Sequence, residues 1–164
     1  MKITLREVKD DNTEYIVQYI NSYRKILYPM LGNKSPYDLI NFNKVYINDP
    51  LASFILAEYE NGAIAGTIGF VPYDNRFQQI KNDNVKTVEI VKLYVEPNIR
   101  NLGIGKRLVN FAIQKAIDLN YKVIYLHTHP FLKGAVDFWK KNGFTVIDIE
   151  CNSDMTIIHM QRLI

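Results

Sequence analysis

The opening MKITLREVKDD alternates apolar and charged residues, the period of a half-buried strand, and predicts a first strand over Lys2 to Val8. The period then lengthens. Ile16, Ile20, Tyr23 and Leu27 recur at helical spacing behind Asp11 to Glu14, which has capping-box spacing, so a first helix is expected that stops by Pro29. Ser35-Pro36-Tyr37-Asp38 reads as a second helix start, with Ser35 as N-cap and Pro36 at the first helical position. Leu39, Ile40, Phe42, Val45 and Tyr46 supply its apolar face and Asp49-Pro50 ends it. SFILAEYE and AIAGTIGFVPY then flank Asn61-Gly62, a pair suited to a two-residue type I′ hairpin because both central positions need positive φ.

The polar stretch Asp74 to Asn84 is expected to be a surface loop, and the β-branched run Val85 to Val95 a central strand closed by Pro97. From about Gly103 to Leu119 the spacing of Leu108, Ala112, Ile113, Ala116 and Leu119 predicts a third helix, with Asn120 at its C-terminal cap region. Lys122 to Thr128 is almost continuously apolar, which suits a strand covered on both faces and parallel to the central strand across the helical crossover. A fourth helix over Leu132 to Lys141 ends at Asn142-Gly143, and Phe144 to Ile149 and Met155 to Gln161 close the chain as strands. The order βααβββαβαββ implies an α/β fold, a mixed sheet flanked by helices. At 164 residues, without repeats or linkers, the expectation is one domain over 1–164, of a size that buries about 70% of the unfolded surface.

Composition narrows the setting. The single Cys151 cannot form an internal disulfide, and with His127, His129 and His159 it shows no zinc spacing, which predicts a reduced, cytoplasmic protein without a metal. His127 and His129 face the same side of a strand and read as two isolated imidazoles. No run approaches the ~18 apolar residues of a membrane span. A net charge of +3 with scattered lysines argues against nucleic acid as a partner.

Between the central strand and the third helix stands Arg100-Asn101-Leu102-Gly103-Ile104-Gly105. Two glycines at a strand-to-helix turn permit positive φ and close backbone approach, leaving N–H groups directed outward at the positive end of a helix dipole. Such a turn suits an anion, a diphosphate above all, with Arg100 and Lys106 as reinforcement. Two better-known phosphate loops fail here. A dinucleotide fingerprint needs a further glycine where Leu108 stands and an acidic residue near Ile124 and Tyr125. A Walker loop needs glycine where Arg100 stands and Ser or Thr where Arg107 follows Lys106.

The longer pattern L-Y-V-x-P-x-x-R-x-x-G-x-G, Leu93 to Gly105, resembles the acetyl-CoA signature of the GNAT family of N-acetyltransferases. The resemblance extends from Val88 to Ile147, through A-V-D-F-W-K-K-N-G-F at Ala135 to Phe144, which is similar to the family's A-x-x-F-Y-x-K-x-G-F. It implies that Arg100, Asn101, Leu102, Gly103, Ile104, Gly105 and Lys106 cradle the pyrophosphate of coenzyme A. It also implies parallel central strands splayed apart near Val95 and Thr128, where the backbone of Leu93, Tyr94 and Val95 pairs with pantetheine and an N–H polarises the thioester carbonyl.

By the same resemblance Glu89 is the general base that takes a proton from the acceptor ammonium; read without the family, it is a glutamate on a solvated strand face. Lys92 reaches Glu89 only if a bulge intervenes, since odd and even strand positions face opposite ways. The tyrosine that protonates the departing thiolate is replaced by Trp139, and Leu132 stands where the family commonly has an Asn. Trp139 then either contacts pantetheine or packs in the core, and Tyr94 or Tyr125 are the candidates to replace the acid. The activity implied is acetyl transfer from acetyl-CoA to a primary amine of a small-molecule or amino-acid-like acceptor, bounded by Tyr28 to Pro36 and Tyr73 to Asn84. The alternatives are a non-catalytic acyl-CoA-binding module and a protein or peptide N-acetyltransferase. A monomer or homodimer is expected, with neither nucleic acid nor membrane as partner.

Overall fold

In the computed structural model, which describes residues 1–164, the strands are β1 (Ile3–Glu7), β2 (Ser53–Tyr59), β3 (Ile64–Pro72), β4 (Thr87–Val95), β5 (Val123–Thr128), β6 (Thr145–Cys151) and β7 (Thr156–Leu163). The helices are α1 (Glu14–Leu27), α2 (Tyr37–Ile40), α3 (Ile104–Asp118) and α4 (Ala135–Lys141), so the chain order is the expected βααβββαβαββ. No helix is long and apolar enough to cross a membrane.

The strands form one sheet in the order β1-β2-β3-β4-β5-β7-β6. Every neighbouring pair is antiparallel except β4 and β5. Those two central strands pair only at Thr87 with Val123, Val88 with Ile124 and Glu89 with Tyr125. Beyond that they part: β4 continues beside β3 to Val95, and β5 continues beside β7 to Thr128. The result is a fork that opens in the middle of the sheet.

Alternation along the strands sends successive side chains to opposite faces, and each face has its own core. On one face α3 buries Leu108, Ala112, Ile113 and Ala116 against Ile68, Phe70, Val88, Ile90, Ile124 and Leu126. On the other, Ile16, Ile20 and Tyr23 of α1 and Leu39 of α2 meet Phe54, Leu56 and Tyr94.

Tertiary neighbours displaced several local expectations. No capping box forms at Asp11 to Glu14, because Thr13 is the N-cap and its hydroxyl donates to Asn43 Oδ1 (2.5 Å). Ser35 caps nothing: its hydroxyl bonds Asn21 on α1 (3.2 Å), and Pro36 takes the N-cap position. The second helix is one turn followed by a π-helical turn over Asn43–Ile47, with Leu39, Phe42 and Tyr46 buried and Ile40 exposed. At the hairpin only Gly62 has positive φ (+83°), and its N–H closes a turn onto the Tyr59 carbonyl (2.9 Å). The turn is therefore not type I′; Asn61 instead accepts the Ala63 N–H through its side chain (3.0 Å). α4 begins three residues later than expected, behind a left-handed Gly134 (φ +77°).

Candidate active site

The strand-to-helix turn is held open by two left-handed residues, Asn101 (φ +65°) and Gly103 (φ +81°). The first bond of the helical series runs from Arg107 N–H to Gly103 C=O (3.0 Å), and no backbone N–H from Asn101 to Lys106 donates within the chain. Unpaired N–H groups at the N-terminus of a fifteen-residue helix are suited to an anion. Gly105 packs tightly under α4, where a Cβ would stand 3.2 Å from the Phe138 ring. Lys106 is exposed beside the turn. Arg100 is partly committed: its Nε donates to the Val95 carbonyl (2.9 Å) and its guanidinium lies 5.5 Å from the Tyr94 ring centre.

Next to this turn, β4 carries a bulge. Thr67 pairs with Tyr94 and Gly69 with Val91, so Lys92 and Leu93 together oppose Ile68, and Lys92 takes φ +58°. The Lys92 carbonyl is held by Thr67 Oγ1 (2.7 Å) and the Tyr23 hydroxyl (3.3 Å). The bulge exists, yet it does not bring Lys92 to Glu89. The Lys92 ammonium pairs with Asp38 on α2 (2.9 Å). Leu93 and Val95 pack on the α3 side, and Tyr94 stacks on Tyr23 (4.2 Å between rings) on the other.

Glu89 stands at the last paired position before the fork opens. It is not on a solvated face, being only 3% exposed. Arg76 grips it bidentately, Nη1 to Oε1 at 2.6 Å and Nη2 to Oε2 at 2.7 Å, and also reaches Asp74 (2.9 Å). His127 Nδ1 lies 3.5 Å from Oε2. Burial by itself pushes the Glu89 carboxyl up, but the Arg76 guanidinium and His127 together hold it below its ordinary value, so it is a fixed anion at neutral pH.

Asp74 to Asn84 is thus more than a surface loop. Ile80 is buried, and Phe77, under the Arg76 guanidinium (4.8 Å), packs edge-on to His159 (4.7 Å) and His127 (5.9 Å). The Tyr125 hydroxyl bonds His159 Nδ1 (2.6 Å), both residues being fully buried. His129 Nδ1 bonds the Thr156 carbonyl (2.9 Å), and its ring stacks on Phe131 (5.1 Å), with Tyr28 edge-on to both. Burial pushes the imidazoles of His129 and His159 down and the Tyr125 phenol far up. His127 and His129 are therefore members of one imidazole and aromatic cluster rather than isolated rings.

Of the two tyrosines offered as a substitute acid, Tyr125 has its hydroxyl engaged with His159, whereas Tyr94 is stacked on Tyr23 through its ring and 6% exposed. Trp139 is also turned into the core, between Phe138 (5.2 Å) and Phe144 (5.1 Å), and Phe138 is the α4 ring that meets Gly105. The residues that sequence reasoning missed are Arg76 and Phe77. Their only local signal is an arginine beside an aromatic residue in an otherwise polar loop.

A family model described as the acetyltransferase (GNAT) family matches residues 16–144. An uncharacterized N-acetyltransferase of Escherichia coli, YjgM, is 31% identical over 110 residues, 66% of this chain and 61% of the relative. The chain thus spans about three fifths of that relative's length. Among solved structures, an acetyltransferase of the GNAT family from Staphylococcus aureus is 26% identical with a TM-score of 0.74, covering 99% of both chains. A GNAT family acetyltransferase from Elizabethkingia anophelis with acetyl-CoA bound shares the fold at 21% identity and a TM-score of 0.68, covering 99% of this chain and 98% of that one.

Proposed function

This chain belongs to the GNAT acetyltransferase family, and we propose that it moves an acetyl group from acetyl-CoA to a primary amine of a small-molecule or amino-acid-like acceptor. The observation that carries the reading is the unbroken run of free N–H groups from Asn101 to Lys106, set beside the fork between β4 and β5. A diphosphate has the charge and the several oxygens to satisfy that run. The neighbouring edge of β4 at Leu93, Tyr94 and Val95 lacks a β5 partner and suits the amide groups of a pantetheine arm.

The acceptor then meets the thioester from the α1 and α2 face, where Tyr28 packs edge-on to His129 and Phe77 to His127 beside Glu89. A fixed carboxylate there draws an ammonium in, and an amine must lose a proton before it attacks, so turnover depends on Glu89. Trp139 supports α4 by packing rather than by touching coenzyme. A thiol with a pKa of about 8.5 gives a thiolate that leaves without strong acid assistance, so the engagement of the Tyr125 hydroxyl by His159 does not exclude catalysis.

Two measurements test this. Millimolar acetyl-CoA should raise the melting temperature, by an amount that grows with the logarithm of its ratio to the dissociation constant; no shift would refute the reading. Thiol release should then be followed with polyamines, amino acids, aminoglycosides and peptides. One class turning over well above the rest identifies the acceptor. Uniformly minimal rates despite tight binding would favour a non-catalytic coenzyme-binding module, the reading that the engaged Tyr125 hydroxyl favours.

A further inference from the structure

Glu89 is poorly placed to receive a proton itself. Both its oxygens are occupied by Arg76 at 2.6 and 2.7 Å, and little of it reaches solvent. His127 differs on each count. It lies two residues beyond Tyr125, the last β5 residue paired with β4, on the same face as Glu89, which makes it the first side chain on that face inside the fork. Its Nδ1 is buried with no acceptor in bonding geometry, 3.5 Å from Glu89 Oε2, while the side chain as a whole is 30% exposed. The exposure therefore falls on the edge opposite Nδ1, where Nε2 sits.

We propose that His127 is the catalytic base, its Nε2 taking the proton from the acceptor ammonium, and that Glu89 is a positioning residue that keeps the other ring proton on Nδ1 and the ring turned toward the fork. This deepens, and rests on, the acetyl-transfer reading above. A carboxylate anion 3.5 Å from one ring nitrogen favours the tautomer in which that nitrogen carries the proton and the other is a lone-pair acceptor. Arg76, bound to both Glu89 oxygens and braced by Asp74 and Phe77, fixes that carboxylate in turn.

The other groups facing His127 leave the role to it. His159, its cross-strand partner on β7, is fully buried with Nδ1 engaged by Tyr125. His129, on its own strand, is 7% exposed with Nδ1 on the Thr156 carbonyl. Tyr125 keeps its proton, and from the β3–β4 loop come only Arg76 and the neutral ring of Phe77.

The step balances. One ammonium proton passes to Nε2, and the freed lone pair forms the C–N bond at the thioester carbonyl carbon. The C–S bond then breaks with its electron pair going to sulfur, the second proton leaves nitrogen for the thiolate, and the imidazolium releases its proton to solvent from its exposed edge.

The experiment uses acetyl-CoA with spermidine, L-lysine, kanamycin and a lysine-containing peptide as probes, followed by thiol release, and calorimetry with CoA for binding. His127→Gln should lower kcat/KM about 10²- to 10⁴-fold with CoA affinity unchanged, and should leave a pH profile that follows only the acceptor amine's own ionisation. Added imidazole should partly restore His127→Ala. Glu89→Gln should also lower kcat, and the double variant should be no slower than His127→Gln alone, because the two act as one unit. Independently of any acceptor, imidazole ¹⁵N shifts should show Nδ1 protonated and Nε2 bare in the neutral wild-type ring, and loss of that preference in Glu89→Gln. Near-normal turnover of His127→Gln in an active protein, or an Nε2–H tautomer, overturns this inference alone. CoA binding without thiol release from any of the four amines overturns the transfer reading, and this inference with it.

Discussion

Between Asn101 and Lys106 the chain leaves consecutive backbone N–H groups unpaired, whereas the cluster around Glu89 gathers side chains from β4, β5, β7 and the loop between β3 and β4. The first depends on φ values and on the absence of side chains. The second depends on which charged and aromatic groups arrive together. The two should therefore fail differently: the turn through any added Cβ, whatever its polarity, and the cluster through isosteric changes of charge that leave shape intact.

The largest effect should come from breaking the turn. An added Cβ at Gly103 meets nothing within 4 Å, but its φ of +81° costs about 1–2 kcal/mol for a residue other than glycine. Gly103→Val should fold, with a lowered melting temperature, and lose the stabilisation by acetyl-CoA. Gly105→Val should lose it too and be less stable still, since its Cβ meets Phe138 at 3.2 Å. Glu89→Gln should leave the coenzyme-induced shift intact. A full shift in both glycine variants would mean that the phosphates bind elsewhere.

Arg76→Gln sharpens the contrast from the other side. It strands the 3%-exposed Glu89 carboxylate, and because Arg76 is itself 39% exposed, the cost at neutral pH should be about 1–3 kcal/mol, below that of breaking a fully buried pair. Glu89 is held below its ordinary value of 4.5, so its contribution to stability is present above that pH and lost as the pH falls through the lower folded value. Wild type and variant should thus differ most above about pH 4.5 and converge in acid. Urea denaturation across that range decides it, and a constant difference at all pH values would deny the pair its electrostatic role. Coenzyme binding at the turn should be unchanged.

The smallest effect should come from Trp139→Phe. The ring packs between Phe138 and Phe144 in the larger core, so about 1–2 kcal/mol of stability should go, with no change in the pH dependence of turnover. A changed pH profile at unchanged stability would place Trp139 in proton traffic and blur the line between packing and site.

Much of this could be read along the chain. Strand alternation in MKITLREV, helical spacing from Leu108 to Leu119 and the two glycines after Arg100 are each satisfied within a few residues, because periodicity and φ are local properties whose energies follow from contiguous chain. The element order βααβββαβαββ, and with it the parallel pairing of β4 and β5, follows from that local patterning together with the crossover through α3, while the fork between them was implied only by the family resemblance. Polar side chains behaved otherwise. Ser35 and Thr13, legible as caps, gave their hydroxyls to Asn21 and Asn43; Lys92 turned from Glu89 to Asp38; and Arg76, from a loop with no apolar pattern, closed on Glu89.

What the sequence determined by itself was the strands, the helices and the glycine turn with its unpaired N–H groups before α3. Only the tertiary structure decided that Glu89 is a buried, guanidinium-held carboxylate beside His127. The partner of a polar group is whatever the fold brings within about 3 Å, and a hydrogen bond or ion pair carries no trace of that partner in the residues next to it.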